Sequence, residues 1–196
     1  MANTVRRRGW RYRELITSPA DLRGWLDREQ GRLTMPPALD QPLVSRFLAV
    51  RDPVLRVLRA AATNSPVPAA AGAQTMPPAD AQARPASAAQ TLPAADVDAV
   101  NQLAAAAPAI RLLGARPGRY RTQSVTAADP ATRLCAELAA AAIDLLTGAD
   151  AAALALCDAP GCGQLYLRGR PNQQWCDPHC GTRARAQRHA DRARSS

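Results

Sequence analysis

Four cysteines near the C-terminus are the residues best equipped for chemistry in this 196-residue chain. Cys157 and Cys162 have four residues between them, Cys176 and Cys180 have three, and 13 residues separate the pairs. Tetrahedral Zn²⁺ takes four soft ligands at about 2.3 Å, and two short-spaced cysteine pairs at such a separation match a structural zinc site. Pro160-Gly161 supplies a tight turn within the first pair, and Asp177-Pro178 supplies a helix start within the second. Two disulfides or four unrelated thiols are the alternatives. The first residues, MANTVRRRGW, lack the apolar stretch of a secretory signal, which argues against a disulfide scaffold. Four thiolates leave the metal no open position for water, so catalytic zinc is not expected. His179 lies inside the second pair and could stand in for a cysteine, but the ligand count is complete without it. Cys135 stands alone beside an apolar helical stripe and reads as a small buried thiol.

A basic segment follows the cysteines. Asp177 can cap and Pro178 suits a first turn, so a helix is expected over about 178–193. Stepped at about 100° per residue, Arg185, Arg188, His189 and Arg192 share one face, Ala186, Ala190 and Ala193 share another, and Arg183 and Arg194 flank the alanines. Such a helix, anchored by zinc at its N-terminus, suits phosphates or a DNA groove. A solvated charged face is the bland alternative.

The composition sharpens this reading. All 25 basic residues are arginine, 16 residues are acidic, and the formal charge is +9. Residues 1–13 hold +5 and residues 181–196 hold +4, so the positive excess is terminal rather than diffuse. A polyanionic partner is favoured. Alanine accounts for 44 residues, so core burial must lean on Leu, Val and Ile. No run is long and apolar enough for a transmembrane helix, and a cytoplasmic location is expected.

The elements that must position the cysteines come earlier. Ser18-Pro19-Ala20-Asp21 opens a helix whose stripe is Leu22, Trp25 and Leu26. Asp40 opens a second, carrying Leu43, Val44, Phe47, Leu48, Val54, Leu55 and Leu58. Pro53 should kink or split it near Asp52. Residues 63–93 are rich in proline and alanine and read as a flexible loop. Val97, Val100, Leu103 and Ala104 mark a third helix. Residues 110–113 and 120–125 read as a hairpin around Gly114-Ala-Arg-Pro-Gly118. Asp129-Pro130 opens a fourth helix, with Gly148 as its stop.

The cysteine segment resembles the CGNR zinc finger. The resemblance rests on Cys157-Asp-Ala-Pro-Gly-Cys162, Leu165-Tyr166-Leu167, Gln174-Trp175-Cys176 and Cys180-Gly-Thr-Arg-Ala-Arg-Ala-Gln-Arg-His189. The upstream region resembles the ABATE domain through Asn3-Thr4-Val5, the Ser18 to Leu22 helix start with Trp25-Leu26, and the order of elements. Proteins of this build are described as stress-induced transcription regulators, mostly from bacteria with GC-rich genomes. The resemblance implies a mainly α fold with a small β-hairpin, ending in a treble-clef-like zinc module followed by a basic helix. It divides the chain into a helical domain over 1–150 and a zinc finger over 154–196, and it places the chain's start within the family's first element. Thr182 stands where the family's namesake asparagine lies, and Arg168 where an acidic residue is usual.

The expected function is a DNA-binding transcriptional regulator. One structural zinc sits on Cys157, Cys162, Cys176 and Cys180, and Arg183, Arg185, Arg188, His189 and Arg192 contact DNA. RNA is disfavoured because only Tyr166 and Trp175 lie near the basic helix for stacking. The helical domain would sense a small-molecule effector or form a homodimer. The competing reading is a zinc-stabilised protein-interaction module docking on an acidic partner. Enzymatic activity is not expected: the chain has no Gly-rich phosphate loop and no HExxH, and its two histidines, His179 and His189, both lie in the zinc segment.

Overall fold

The computed structural model describes residues 4–8, 11–64, 91–108 and 127–195. Strands β1 (Val5–Arg8) and β2 (Arg11–Glu14) pair antiparallel, Val5 opposite Glu14 and Arg8 opposite Arg11. Helices α1 (Pro19–Leu26), α2 (Gln41–Asn64), α3 (Ala94–Ala105) and α4 (Pro130–Thr147) follow. A second antiparallel pair, β3 (Leu154–Leu156) and β4 (Leu165–Leu167), leads to α5 (Pro178–Ser195). The hairpin expected over 110–125 and most of the proline-rich stretch lie outside the described residues.

Local chemistry explains where the helices start. The Ser18 hydroxyl accepts from the Asp21 N–H, and the Asp21 carboxylate accepts from the Ser18 N–H at 3.0 Å, a reciprocal capping box. Asp40 accepts from the Leu43 N–H at 2.9 Å, and Asp129 from the N–H groups of Ala131 and Thr132 at 3.0 Å. Helix α4 ends at Gly148, whose backbone is extended (φ −89°, ψ −179°) rather than left-handed. Glycine is required there by proximity: a Cβ would lie 2.6 Å from the Asp144 carbonyl oxygen.

Proline 53 does not split α2, which runs unbroken from Gln41 to Asn64. Tertiary burial overrides the local preference, because Pro53 itself, Val50, Val54 and Val57 are all buried. The carbonyl that loses its partner belongs to Ala49, on the exposed side of the helix, where water can satisfy it.

Helices α2, α3 and α4 pack on one another around Phe47, Val44 and Leu134, all fully buried. Trp25 from α1 meets Phe47 with ring centroids 5.2 Å apart at 54°. Cys135 is buried in this core, and burial pushes its thiol pKa up, as suits an inert packing residue. The same core includes Leu154 of β3 and Leu165 of β4. The cysteine-bearing hairpin is therefore seated in the helical domain.

Two polar joints hold the outer elements. Arg51 of α2 is buried, and its guanidinium reaches Glu14 at 2.6 Å and Asp52 at 2.7 Å. Glu14 also accepts from the N–H groups of Leu15 and Ile16, which pins the end of β2 to α2. Arg56 of α2 grips Asp96 of α3 through Nε and Nη2 at 2.8–3.0 Å. Hydrogen bonds from Arg56 hold the Asp96 carboxyl below its ordinary pKa, and those from Ser18 and Thr17 do the same for Asp21. The stability these groups confer is complete above the ordinary carboxylate pKa of about 4 and is lost as pH falls through the lower folded values. Asp96→Asn is expected to flatten the acid limb of stability against pH relative to the parent protein, as read by urea unfolding at successive pH values. An acid limb identical in the two proteins contradicts this.

Candidate metal centre and basic helix

Strand β3 delivers the chain to Cys157, and a tight knuckle brings it back into β4. Cys157 N–H donates to the Gln164 carbonyl at 2.9 Å, Cys162 N–H to Ala159 at 2.9 Å and Gly163 N–H to Cys157 at 3.2 Å. The turn needs left-handed backbone at Gly161 (φ 71°) and Gly163 (φ 67°), where a side chain would be strained. The Gln164 side chain donates to the Val5 carbonyl at 3.0 Å, tying the knuckle to β1. After β4 the chain loops out. Gln173 fixes that loop by accepting from the Gly169 N–H at 2.8 Å, donating to the Trp175 carbonyl at 3.0 Å, and lending its own carbonyl to the Tyr166 hydroxyl at 2.9 Å. Cys176 precedes α5 and Cys180 lies in its first turn, where the Asp177 side chain accepts from the His179 N–H at 2.8 Å.

The four sulfurs converge to within 4.8 Å of one another. Cys176 Sγ lies 3.7 Å from both Cys162 Sγ and Cys180 Sγ. A tetrahedron with bonds of about 2.3 Å has edges of about 3.8 Å, so the donor set fits Zn²⁺. A disulfide needs about 2.05 Å, and all five cysteines are unpaired. His179 is exposed and stands outside the cluster.

The electrostatics match a thiolate cage. Burial opposes ionisation of Cys157, but the N–H groups of Cys176 and Ala159 and the neighbouring thiols outweigh it, so its pKa is lowered. Burial pushes both Cys176 and Cys180 up; the neighbouring sulfurs add to this at Cys176, and at Cys180 Cys162 and Cys157 add to it while Cys176 opposes it. Without a cation the cage tolerates little negative charge. A dication resolves this, and its uptake must expel protons, so zinc affinity falls with falling pH. Arg183 Nη2 donates to Cys180 Sγ at 3.2 Å and adds a positive charge beside the thiolates.

Helix α5 packs only through its first two turns. Cys180, Gly181 and Ala184 are buried, whereas every residue from Arg185 to Arg194 is exposed. Trp175 covers the packed part, and a Cβ on Gly181 would lie 3.1 Å from Trp175 Cε3. Arg188 lies over the Trp175 ring, 5.8 Å from its centroid. Arg185 Nη2 donates to Thr182 Oγ1 at 3.2 Å, and Arg194 pairs with Asp191. Arg185, Arg188, His189 and Arg192 thus sit together on the exposed stretch, as the spacing implies, whereas Arg183 is turned toward the metal ligands. The Gln173 clamp and the Trp175 platform are invisible in the spacing of cysteines and arginines.

Knuckle, hairpin and ligand-bearing helix define a treble-clef-like structural zinc module joined to a helical domain. The ABATE family model, described as "Putative stress-induced transcription regulator", matches residues 1–149, and the CGNR zinc finger model matches residues 154–193. The chain belongs to the ABATE family and carries a CGNR zinc finger, with Cys157, Cys162, Cys176 and Cys180 holding one structural zinc. No curated protein matches the chain.

Metal analysis is expected to return one zinc per chain. Native thiol titration should detect only Cys135, and slowly, because it is buried with a raised pKa. A strong chelator should then expose four further thiols. Rapid reaction of all five before chelation contradicts the site.

Proposed function

We propose that this chain is a DNA-binding transcription regulator that grips the duplex with α5. The observation that carries this is the length of helix, about three turns from Arg185 to Arg194, in which every residue is exposed and which carries four arginines and one aspartate. A helix with no apolar residue larger than alanine beyond Ala184, and its packing confined to one end, gains little from the fold it belongs to. The zinc cage holds its N-terminus rigidly, which fixes the direction in which the arginines project. An α-helix of ordinary diameter enters the major groove of B-DNA. Arg185, Arg188 and Arg192 supply contacts to phosphates or guanine edges, and His189 lies among them. Arg183 supports the thiolate cage instead. A closed four-sulfur zinc has no coordination site for substrate, so the metal is read as a folding device rather than a catalyst. No described helix is long and apolar enough to cross a membrane, and the proposed place of action is the cytoplasm.

Selection of genomic duplex fragments by the purified zinc-loaded protein tests this reading and yields its target. Enrichment of a common short motif supports a regulator. Recovery no better than from a column without protein overturns it, and capture of acidic proteins in the same format would favour the interaction-module alternative.

A further inference from the structure

We infer that a groove between the helical domain and the zinc hairpin is the binding site of a small organic anion with an apolar body. Two adjoining hollows of about 580 and 400 Å³ share Trp25, Glu29, Arg32, Leu58 and Leu145 in their walls. Each falls within the 300–1,000 Å³ typical of small-molecule sites, roughly. The floor is apolar, and polar groups gather on one rim, the stretch just after α1. There Arg28 and Arg32 face a single acid, Glu29, whose carboxylate is already bonded to Arg32 at 3.1 Å. The rim carries a net positive charge, and the Arg32 side chain is 79% exposed, so both guanidiniums are within reach of an incoming carboxylate. Leu167 of β4 also lines the groove and is 46% exposed, an apolar surface open to a ligand. Charge at one edge and leucines below select a compact molecule with a carboxylate at one end and an aromatic or branched apolar body.

The position of the groove gives occupancy a consequence. Leu154 and Leu165 line it and also belong to the shared core, and β3 runs directly into Cys157. A ligand resting on these leucines holds the strand pair that carries the first two zinc ligands. By linkage, ligand and zinc module stabilise each other. This deepens the regulator reading by supplying an effector site, and it rests on that reading only for its purpose, since binding is measured without DNA.

Calorimetry on the zinc-loaded full chain tests the site, with 1-naphthoate as the probe and 1-naphthamide as its neutral isostere. Naphthoate is expected to bind one per chain, roughly tenfold or more tighter than the amide, as loss of a charge-assisted hydrogen bond implies. Arg28→Ala with Arg32→Ala should bring the two probes to equal affinity. Leu167→Glu, at an exposed β4 position lining the same hollow as Arg28, Leu154 and Leu165, puts a negative charge into the site and should weaken naphthoate binding roughly tenfold or more while the fold is retained. Bound naphthoate should slow zinc transfer to a chelator severalfold. Absence of saturable binding, equal affinity for both probes in the parent protein, or full naphthoate binding by the Leu167→Glu protein overturns the site. Zinc transfer at an unchanged rate overturns the coupling. Failure of DNA binding leaves these results untouched, so the two readings fail separately.

Discussion

Replacing Cys162 by serine is expected to abolish stoichiometric zinc binding and to destabilise the whole chain, not the C-terminal segment alone. The β3–β4 pair has three residues per strand, and a hairpin of that size does not hold itself together in water. The metal supplies what the pairing lacks, since structural zinc sites bind with apparent free energies of roughly 10–16 kcal/mol in small finger peptides. Once the cage opens, Leu154 and Leu165 lose their anchor and leave the shared core. Each fully buried leucine is worth roughly 1.5–3 kcal/mol, so the helical domain loses about 3–6 kcal/mol of packing. A whole domain has a net stability of only about 5–15 kcal/mol, so this loss is a large fraction of it. Zinc analysis with urea unfolding followed by helical circular dichroism measures both effects. Hydrogen exchange should show lost protection around Leu58, which shares the groove wall with those two leucines. A variant that loses zinc but keeps the parent's helical unfolding midpoint contradicts a shared core.

The second large effect concerns the basic helix. Combined replacement of Arg185, Arg188 and Arg192 by alanine is expected to weaken binding to any duplex by roughly a thousandfold at moderate salt and to leave folding intact. All three are exposed, and alanine is the best helix former, so α5 gains propensity as it loses charge. Each neutralised phosphate contributes a slope of about −0.9 to log K against log salt. Three contacts give a slope of about −3, and removing all three leaves a slope near zero. Zinc content should match the parent and the unfolding midpoint should fall only slightly, through loss of the Arg188–Trp175 contact, which separates lost DNA contacts from lost structure. A variant that binds with the parent's slope places the contacts elsewhere. Arg183→Gln is the contrasting change: its guanidinium lies on Cys180 Sγ, so its first effect should be faster zinc loss to a chelator.

Chemistry that acts over a few residues was legible in the sequence. The Ser18–Asp21 box, the caps at Asp40 and Asp129, and the two cysteine pairs each need only near neighbours, and each stands where its spacing puts it. Features that depend on distant parts of the chain were not legible. Strand β1 is mostly arginine, with no alternation to mark it, and the end of its partner β2 is fixed by Glu14 bonding to Arg51 across the fold. Leu154 and Leu165 sit in strands too short to show a period, so nothing in them announces that the zinc hairpin enters the helical core. Pro53 broke the local rule because its neighbours on α2 are buried, a fact about the whole domain rather than about proline. A helical wheel set Arg183 beside the alanines and left it among the expected DNA contacts, because a wheel carries no information about the sulfur one turn back.

Fluorescence anisotropy of a labelled duplex, titrated with the zinc-loaded chain over a series of salt concentrations and repeated after chelation, tests the zinc-anchored grip most directly. Binding at low salt with a log–log slope of about −3, lost when the metal is withdrawn, is the result the structure predicts. No binding at the lowest salt, a slope near zero, or full affinity without zinc would contradict it.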